Sequence, residues 1–523
     1  MRYDAAIVGL GAAGCWAARA LTEAGLRVVS LDAGKLLKDA ELPKKTRSAN
    51  LWARPLFGRR RVQARSISFH PDVEHLYVDD RSHPYDTDGG DPFLWIRGRQ
   101  VGGRLHTWAG MALRLSDHDF RRGEEDGEPA WPICAADLDS FYDEVETFHG
   151  LRGARDDLPR LPDGRITEPV ELDGPAARFR ERVEARWPER RVIAPRTLVR
   201  KIDPVPAPLA RAMETGRLRM ITEAAVARLA VDARGRVTGV EYRDGDDRRR
   251  RSVTADHVLL CASALESVRI LLNSRSRHHP GGIGDGHGQL GRYVLDHNFV
   301  VASGTTGADY RDLADAWEPR PFNPLDLGAQ LDFYVPDFSA TLPDRRFSRG
   351  FGIQGRISPT HWGMGAFGEM LPTESNRITL SDRADAYGIP TARISVRRGG
   401  NDRRMISAQK EQVAALAEAA GLSIKMPFPG LLRGLLWRLV GPEVGVMHLG
   451  IAIHETGGAR MGGDPSTSVV DPTNRVWDAK NVLVLDGACF PSTGCQNPTL
   501  TIMALAGRAC AGVTSAQAGA QSR

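Results

Sequence analysis

The sequence predicts an α/β (α+β) fold in which a discontinuous parallel-sheet domain encloses a second domain built on an antiparallel β-sheet. Three observations carry this. The chain opens with an apolar strand, a glycine-rich turn, a helix of small residues and a second strand, "YDAAIVGLGAAGCWAARALTEAGLRVVSLDAG", residues 3–34. A strand running into a helix recurs at "ADHVLLCASALESVRILLNS" (255–274) and at "NVLVLDGACFPSTGCQNPTLTIMALAGRACAGV" (481–513). Between those two, segments such as "LGAQLDFYVP", "RGFGIQGRIS" and "NRITLS" alternate apolar and polar residues, the period of a half-buried strand.

The opening unit carries the first chemistry. Gly9-Leu10-Gly11-Ala12-Ala13-Gly14 is a GxGxxG turn between strand and helix. Gly9 permits the tight turn, Gly11 lets the backbone approach a pyrophosphate, and Gly14 lets the helix pack close to the sheet. The helix N-terminus offers free N–H groups and the positive end of its dipole to the phosphates. Asp32 ends the second strand, 18 residues beyond Gly14. There its carboxylate can accept from both hydroxyls of a ribose. A dinucleotide cofactor is predicted. The fingerprint alone does not separate FAD from NAD, and its place at the start of the chain favours FAD.

Residues 35–92 read as an irregular arm rich in Pro, Arg and His. In "FLWIRGRQVGGRLHTWAGMALRLSDHDF" (93–120), Gly98, Gly102 and Gly103 interrupt an aromatic and apolar stretch, which suggests backbone passing close to a flat ligand. An amphipathic helix follows, starting near Asp137. Residues 151–215 are Pro- and Arg-rich with low periodicity and read as a long excursion or linker. Residues 220–245 alternate well enough for a β-meander turning at Arg234-Gly235. The expected division is therefore a cofactor domain of 1–34, 93–150, 216–304 and 445–513, an arm at 35–92, the excursion at 151–215, a substrate domain at 305–444 and a polar tail at 514–523.

Bulk properties exclude several classes. The net charge is only +5 over 523 residues, with 70 basic and 65 acidic side chains interspersed. The dense basic runs at 59–61 and 246–252 lie beside Gly or Asp without interleaved aromatics and read as solvated loops, so no nucleic-acid partner is expected. The six cysteines form no CxxC pair or metal spacing and sit in apolar segments, so buried free thiols in a reducing compartment and no metal are expected. No run of 18 apolar residues occurs, and the first residues do not read as a signal peptide, so a cytoplasmic location without a transmembrane segment is expected. The nearest apolar stretch, 428–453, is interrupted by Arg433, Arg438 and Glu443 and reads as a buried helix or a lid.

The fingerprint, "GRQVGGRLHTW", "WPICAADLDSFYDEVE", "ALESVRILL", "GQLGRYVLDH", "HETGGARMGGDPSTSVVDPTNRVW" and "NVLVLDGACFPSTGCQNPTLTIMALAGRA" follow one another as in the glucose–methanol–choline (GMC) flavoprotein oxidoreductases. The chain resembles that family over nearly its whole length. The wording is closest to the branch of pyranose oxidases and bacterial glycoside 3-dehydrogenases or 3-oxidases. The resemblance implies a Rossmann-like FAD domain with the substrate sheet lying over the flavin. It places the catalytic histidine at His454, which opens "HxxGxxRMG", and its partner at Asn497, just before "PTLT". It implies that the Val226 backbone holds the adenine, and that Asp486-Gly487 holds the ribityl chain and pyrophosphate. The helix beginning at Pro498-Thr499 would aim its N-terminal dipole at the flavin. Some relatives attach FAD covalently through a histidine four residues after a glycine pair. After Gly102-Gly103 that residue is Thr107, and His106 falls one place early. Non-covalent FAD is therefore expected, with Thr107 and Trp108 along the flavin's edge.

Oxidising an alcohol removes a hydroxyl proton and a carbon-bound hydride. Imidazole titrates near working pH and suits the proton transfer, whereas Asn497 cannot titrate. His454 is thus the expected base and Asn497 the anchor for the substrate hydroxyl. His448 and His106 are secondary candidates, each expected to be an ordinary core or surface histidine. The expected reaction is oxidation of a secondary alcohol of a sugar or glycoside to a ketone, with O2 or an electron-acceptor protein as second substrate. A non-sugar alcohol, a hydroxynitrile-lyase-like use of FAD and an NAD enzyme are the alternatives. The identity of the substrate is left open by the sequence.

Overall fold

The computed structural model describes residues 2–42, 59–89, 91–199, 201–245, 247–320, 323, 325–326, 330–343, 345–424 and 445–521. In chain order the elements that build the site are β1 (Arg2–Val8), α1 (Ala12–Glu23), β2 (Val28–Leu31), α2 (Asp117–Asp126), α3 (Asp139–His149), α4 (Gly174–Arg186), α5 (Ala207–Glu214), β3 (Leu218–Ile221), β4 (Ala224–Val231), β5 (Val237–Asp244), β6 (Arg250–Leu260) and α6 (Ala264–Asn273). They continue with β7 (His297–Thr305), β8 (Phe333–Val335), β9 (Phe351–Ile357), β10 (His361–Glu369), α7 (Gly400–Ala419), β11 (Ser423–Ile424), β12 (Arg475–Val476), β13 (Ala479–Val484) and α8 (Thr499–Gln521).

The first sheet runs β12-β13-β6-β1-β2-β3, with β5 and β4 attached to β6 as an antiparallel meander. Its core pairs, β13–β6, β6–β1, β1–β2 and β2–β3, are parallel. Such strands are buried on both faces and read as apolar runs, and "AAIV", "VVSL", "VLL" and "VLV" fit that. The register is what makes a site. Val8 lies opposite both Leu31 and Leu260, and Leu260 opposite Val484. Four parallel strands therefore end level, and the crevice beyond their carboxyl ends is where an open α/β sheet binds ligands.

The second sheet, β8-β9-β10-β7-β11, is antiparallel, with α7 packed against it. Its own core contains Phe333, Phe351, Trp362 and Met405. β7 begins at His297, so this sheet starts earlier than the expected boundary at 305. The segment Asp86–Thr87 of the arm pairs with the hairpin Arg377–Ala384/Pro390–Ser395.

Four expectations need correction. Residues 151–215, expected as a long excursion or linker of low periodicity, are built of regular elements. They hold α4, α5 and a small sheet of Leu151–Gly153, Ile166–Pro169 and Thr197–Leu198. The helical period was present in α4, where Pro175, Ala176, Phe179 and Val183 are buried, but arginines between them obscured it. The polar tail is the end of α8, which continues to Gln521. Arg250 and Arg251 belong to strand β6, exposed, and do not form a loop. Five cysteines are buried, but Cys134 is only half-buried. Most of the 428–453 stretch lies outside the described residues, and 445–453 is loop. No helix among the described residues is long and apolar enough to cross a membrane.

Candidate active site

One cavity of about 310 Å³ lies along the carboxyl ends of the parallel strands and reaches the second sheet at Gln354 and Phe367. Gly9, at φ +89°, turns the chain out of β1, and a Cβ there would sit 2.6 Å from the Cys261 carbonyl oxygen. Gly11 has open space where its side chain would be, and Gly103 faces it, with a Cβ direction ending 3.5 Å from the Gly11 Cα. Two bare backbones therefore approach each other across the cavity wall, which suits a pyrophosphate near the α1 N-terminus. Gly14 is outside the cavity, where a Cβ would meet the Gly9 carbonyl oxygen at 1.9 Å. Its role is helix packing.

Asp32 lines the cavity. Its Oδ2 accepts from the Leu10 N–H and its Oδ1 from the Gly34 N–H, each at 2.8 Å. Burial raises its pKa, opposed by these two hydrogen bonds and by Arg99. Each oxygen keeps a lone pair for a ribose hydroxyl. Gln100 Oε1 and Arg99 Nη2, on the same wall, are buried without a hydrogen-bond partner among the described residues. Orphaned groups of this kind are what a polar ligand would satisfy, and the wall fits the adenosine and diphosphate of FAD.

Val226, Asp486, Gly487, Thr107, Trp108 and Thr499 also line the cavity. Asp486 accepts from the Ala488 N–H at 3.0 Å and from the Ser267 hydroxyl, and burial pushes its pKa up to about 6. Thr499 is the first residue of α8, so the N–H groups of that helix face the cavity. Gly102 does not line it. At φ +91° it shapes the turn before Gly103, and a Cβ there would strike His106 Nε2 at 2.4 Å. His106 points away too, bonded to the Val101 carbonyl oxygen at 2.9 Å. His448 pairs with Asp91 at 2.9 Å and does not line the cavity.

The loop on either side of His454 is tightly held. Gly457, at φ +78°, passes so close to β7's approach that a Cβ would lie 2.1 Å from the Tyr293 carbonyl oxygen. Ile453 adopts φ +62°, a strained conformation for a β-branched residue. That turn presents His454 to the cavity. His454 Nε2 lies 3.1 Å from Asn497 Nδ2, so two residues 43 positions apart meet at one point. His454 Nδ1 lies 2.7 Å from Nδ1 of His297. Burial, then the neighbouring His297 and Arg104, hold the His454 pKa well below the ordinary 6.5. The ring is therefore neutral at neutral pH. Only the unprotonated ring can act as base, so its loss of activity belongs on the acid side. Flavin reduction is expected to be flat above pH 6.5 and to fall only below it, as a stopped-flow pH series will read.

Three contributors escaped the sequence reading. His297 is one. Arg104 and Glu455 form another, a two-point ion pair with Nη1–Oε2 at 2.9 Å and Nη2–Oε1 at 2.7 Å. Arg104 also donates to the Ser263 hydroxyl and the Ile453 carbonyl oxygen, which ties the 98–107 loop, the start of α6 and the His454 loop together. The third is Gln354 on β9, whose Oε1 is buried in the cavity wall without a hydrogen-bond partner among the described residues. His297 ends the matched segment "GQLGRYVLDH", and a second histidine there was the available signal. The other two contributors carry no local mark. Among the described residues no cluster of His, Cys, Asp and Glu could hold a metal ion.

The sequence matches the GMC oxidoreductase family over residues 3–298 for its N-terminal part and 372–506 for its C-terminal part. It is 27% identical to a 2-methyl-1,2-propanediol dehydrogenase of Mycolicibacterium austroafricanum, over 97% of this chain and 94% of that protein. It is 27% identical to a 6'''-hydroxyparomomycin C oxidase of Streptomyces lividus, over 98% and 91%. A C-glycoside 3-oxidase of Microbacterium trichothecenolyticum is 28% identical, over 55% of this chain and 52% of that protein. Among solved structures, a point variant of formate oxidase of Aspergillus oryzae RIB40 superposes with a TM-score of 0.66 at 16% identity, covering 98% of both chains. Pyridoxine 4-oxidase of Mesorbium loti gives 0.63 at 19%, over 97% and 98%.

Proposed function

The chain belongs to the GMC oxidoreductase family and is an FAD-dependent oxidoreductase acting on alcohols, and on that footing we propose that it oxidises a secondary alcohol of a sugar or glycoside ring to the ketone. The observation that carries the reading is the meeting of His454 Nε2 and Asn497 Nδ2 in the same cavity as Gly9, Gly11 and Asp32. FAD, when bound, supplies the hydride acceptor. The protein's part is to hold the alcohol and move its proton. On binding, the substrate hydroxyl replaces Asn497 at the one lone pair of His454 Nε2, donating to it, and accepts from Asn497 Nδ2, which fixes the carbinol carbon. His454 then takes the hydroxyl proton as the hydride leaves. Gln354 Oε1, unpartnered in the wall, accepts from a second hydroxyl, which suits a polyol substrate over a simple one.

The remaining assignments belong to the same reading. Gly9, Gly11 and Gly103 pass the diphosphate, Asp32 holds the ribose, Val226 the adenine, and Asp486 with the α8 N-terminus lies along the ribityl chain and flavin ring. FAD is bound non-covalently, because Thr107 cannot form a histidyl–flavin bond and His106 is turned to Val101. Acid precipitation is expected to leave all the flavin in the supernatant, and flavin in the pellet would show another attachment. The electron acceptor is O2 or a partner protein, and five buried free thiols suit a reducing cytoplasm.

A second reading has its own support. The diol dehydrogenase relative matches nearly the whole chain, whereas the glycoside oxidase relative matches about half. Turnover of a panel of glycosides, free pyranoses, 1,2-diols, choline and methanol separates the two. The proposal expects the pyranosides to lead, and turnover of diols with none of any sugar would replace it.

A further inference from the structure

An imidazole is a base only at the nitrogen that lacks a hydrogen, and the surroundings of His454 fix which nitrogen that is. His297 is the first residue of β7 and is 1% exposed. Its Nε2 lies 2.8 Å from the Gly494 carbonyl oxygen. A carbonyl only accepts, so His297 Nε2 carries a hydrogen. Burial holds the His297 pKa below its ordinary value, so the ring is neutral and that hydrogen is its only one. His297 Nδ1 is then a lone pair. His454 Nδ1, 2.7 Å away, must donate to it. His454 is neutral as well, so its Nε2 is left bare, accepting from Asn497.

We propose that His297 is the positioning residue that sets the tautomer of His454 and keeps Nε2 free as the base. It does so from a rigid seat. The Gly494 N–H donates to Glu369 Oε1 at 3.1 Å, and Glu369 is held by Arg349 at 2.8 Å and Arg122 at 3.0 Å. Glu369 stands opposite His297 in the β10–β7 register. The neighbouring Asp296 accepts from the His454 backbone N–H at 3.3 Å and from the Gly450 N–H. Asp296, just before β7, and His297, its first residue, therefore hold the backbone and the ring of His454 separately. A carboxylate orienting a catalytic histidine fixes the tautomer and also favours the charged ring. An imidazole fixes the tautomer without adding a negative charge.

The proposal rests on His454 being the base, and the test separates the two. Holoenzyme carrying His297→Leu, His297→Gln or His454→Ala is mixed anaerobically with the panel's fastest-reducing substrate, and the limiting rate of flavin bleaching and the apparent substrate dissociation constant are read. With His297→Leu, His454 Nδ1–H loses its acceptor and the ring can instead place its hydrogen on Nε2. The limiting rate is expected to fall about tenfold or more while the dissociation constant stays within about threefold. His297→Gln, whose amide accepts and donates, should recover most of that loss. A Leu variant within about threefold of wild type, or equal losses for Leu and Gln, overturns the proposal. His297→Phe replaces Leu in the comparison if the Leu variant does not retain flavin. If His454→Ala keeps the wild-type rate, the base assignment itself fails; if it is inactive while His297→Leu is not, only the positioning role fails.

Discussion

His454→Ala is expected to give a folded, yellow protein whose flavin is reduced about 10²–10⁴-fold more slowly by substrate, the usual cost of removing a general base. The imidazole touches the cavity where Asn497 stands, and the Gly9 turn, Asp32 and Asp486 lie elsewhere along its wall. Removing it therefore leaves the cofactor's contacts in place. The loss should appear in the limiting rate of anaerobic flavin reduction and not in reoxidation of chemically reduced enzyme. Asn497→Ala should be milder, since it removes an orienting hydrogen bond and no proton acceptor. A His454→Ala enzyme that reduces its flavin at the wild-type rate would make His454 a structural residue of a strained loop.

Asp32→Ala is expected to act on the other end, by weakening FAD binding. Each hydrogen bond to a charged group contributes about 1.5–3 kcal/mol, so each ribose hydroxyl released costs about 10- to 100-fold in Kd. The same change strips the Leu10 and Gly34 N–H groups of their acceptor, so the turn that Gly9 opens loosens as well. Fluorescence titration of flavin-free protein with FAD reads the change. The variant saturated with FAD should reduce at close to the wild-type rate. An unaltered Kd would remove the ribose assignment.

The parts legible in the sequence are those that local physics dictates. Gly9 and Gly14 are required by contacts within a few residues of the turn or with the adjacent strand, and the strand–turn–helix around them is written in consecutive residues. His454 stands in a run of glycines that hold positive φ, and Asn497 stands just ahead of a helix start. Parallel strands appeared as unbroken apolar runs. What was not legible depends on distant chain. His297 meets His454 across 157 positions and Arg104 meets Glu455 across 351, and neither spacing has a local period. Gln354 reads as one polar residue of an alternating strand, and only the placement of β9 beside the cavity gives it a role. The helical period of α4 is faint because only one narrow stripe of it is buried and most of its remaining surface is Arg and Glu.

The central claim is that this chain removes a hydride from a ring carbon of a sugar or glycoside while His454 takes the hydroxyl proton. The most direct measurement is anaerobic mixing of the holoenzyme with a pyranoside, once unlabelled and once deuterated at each carbinol carbon in turn, while the visible flavin band is followed. The account expects complete bleaching, slowed by deuterium at one ring carbon only. Substrate consumed with the flavin band intact, or bleaching by simple diols alone, would contradict it.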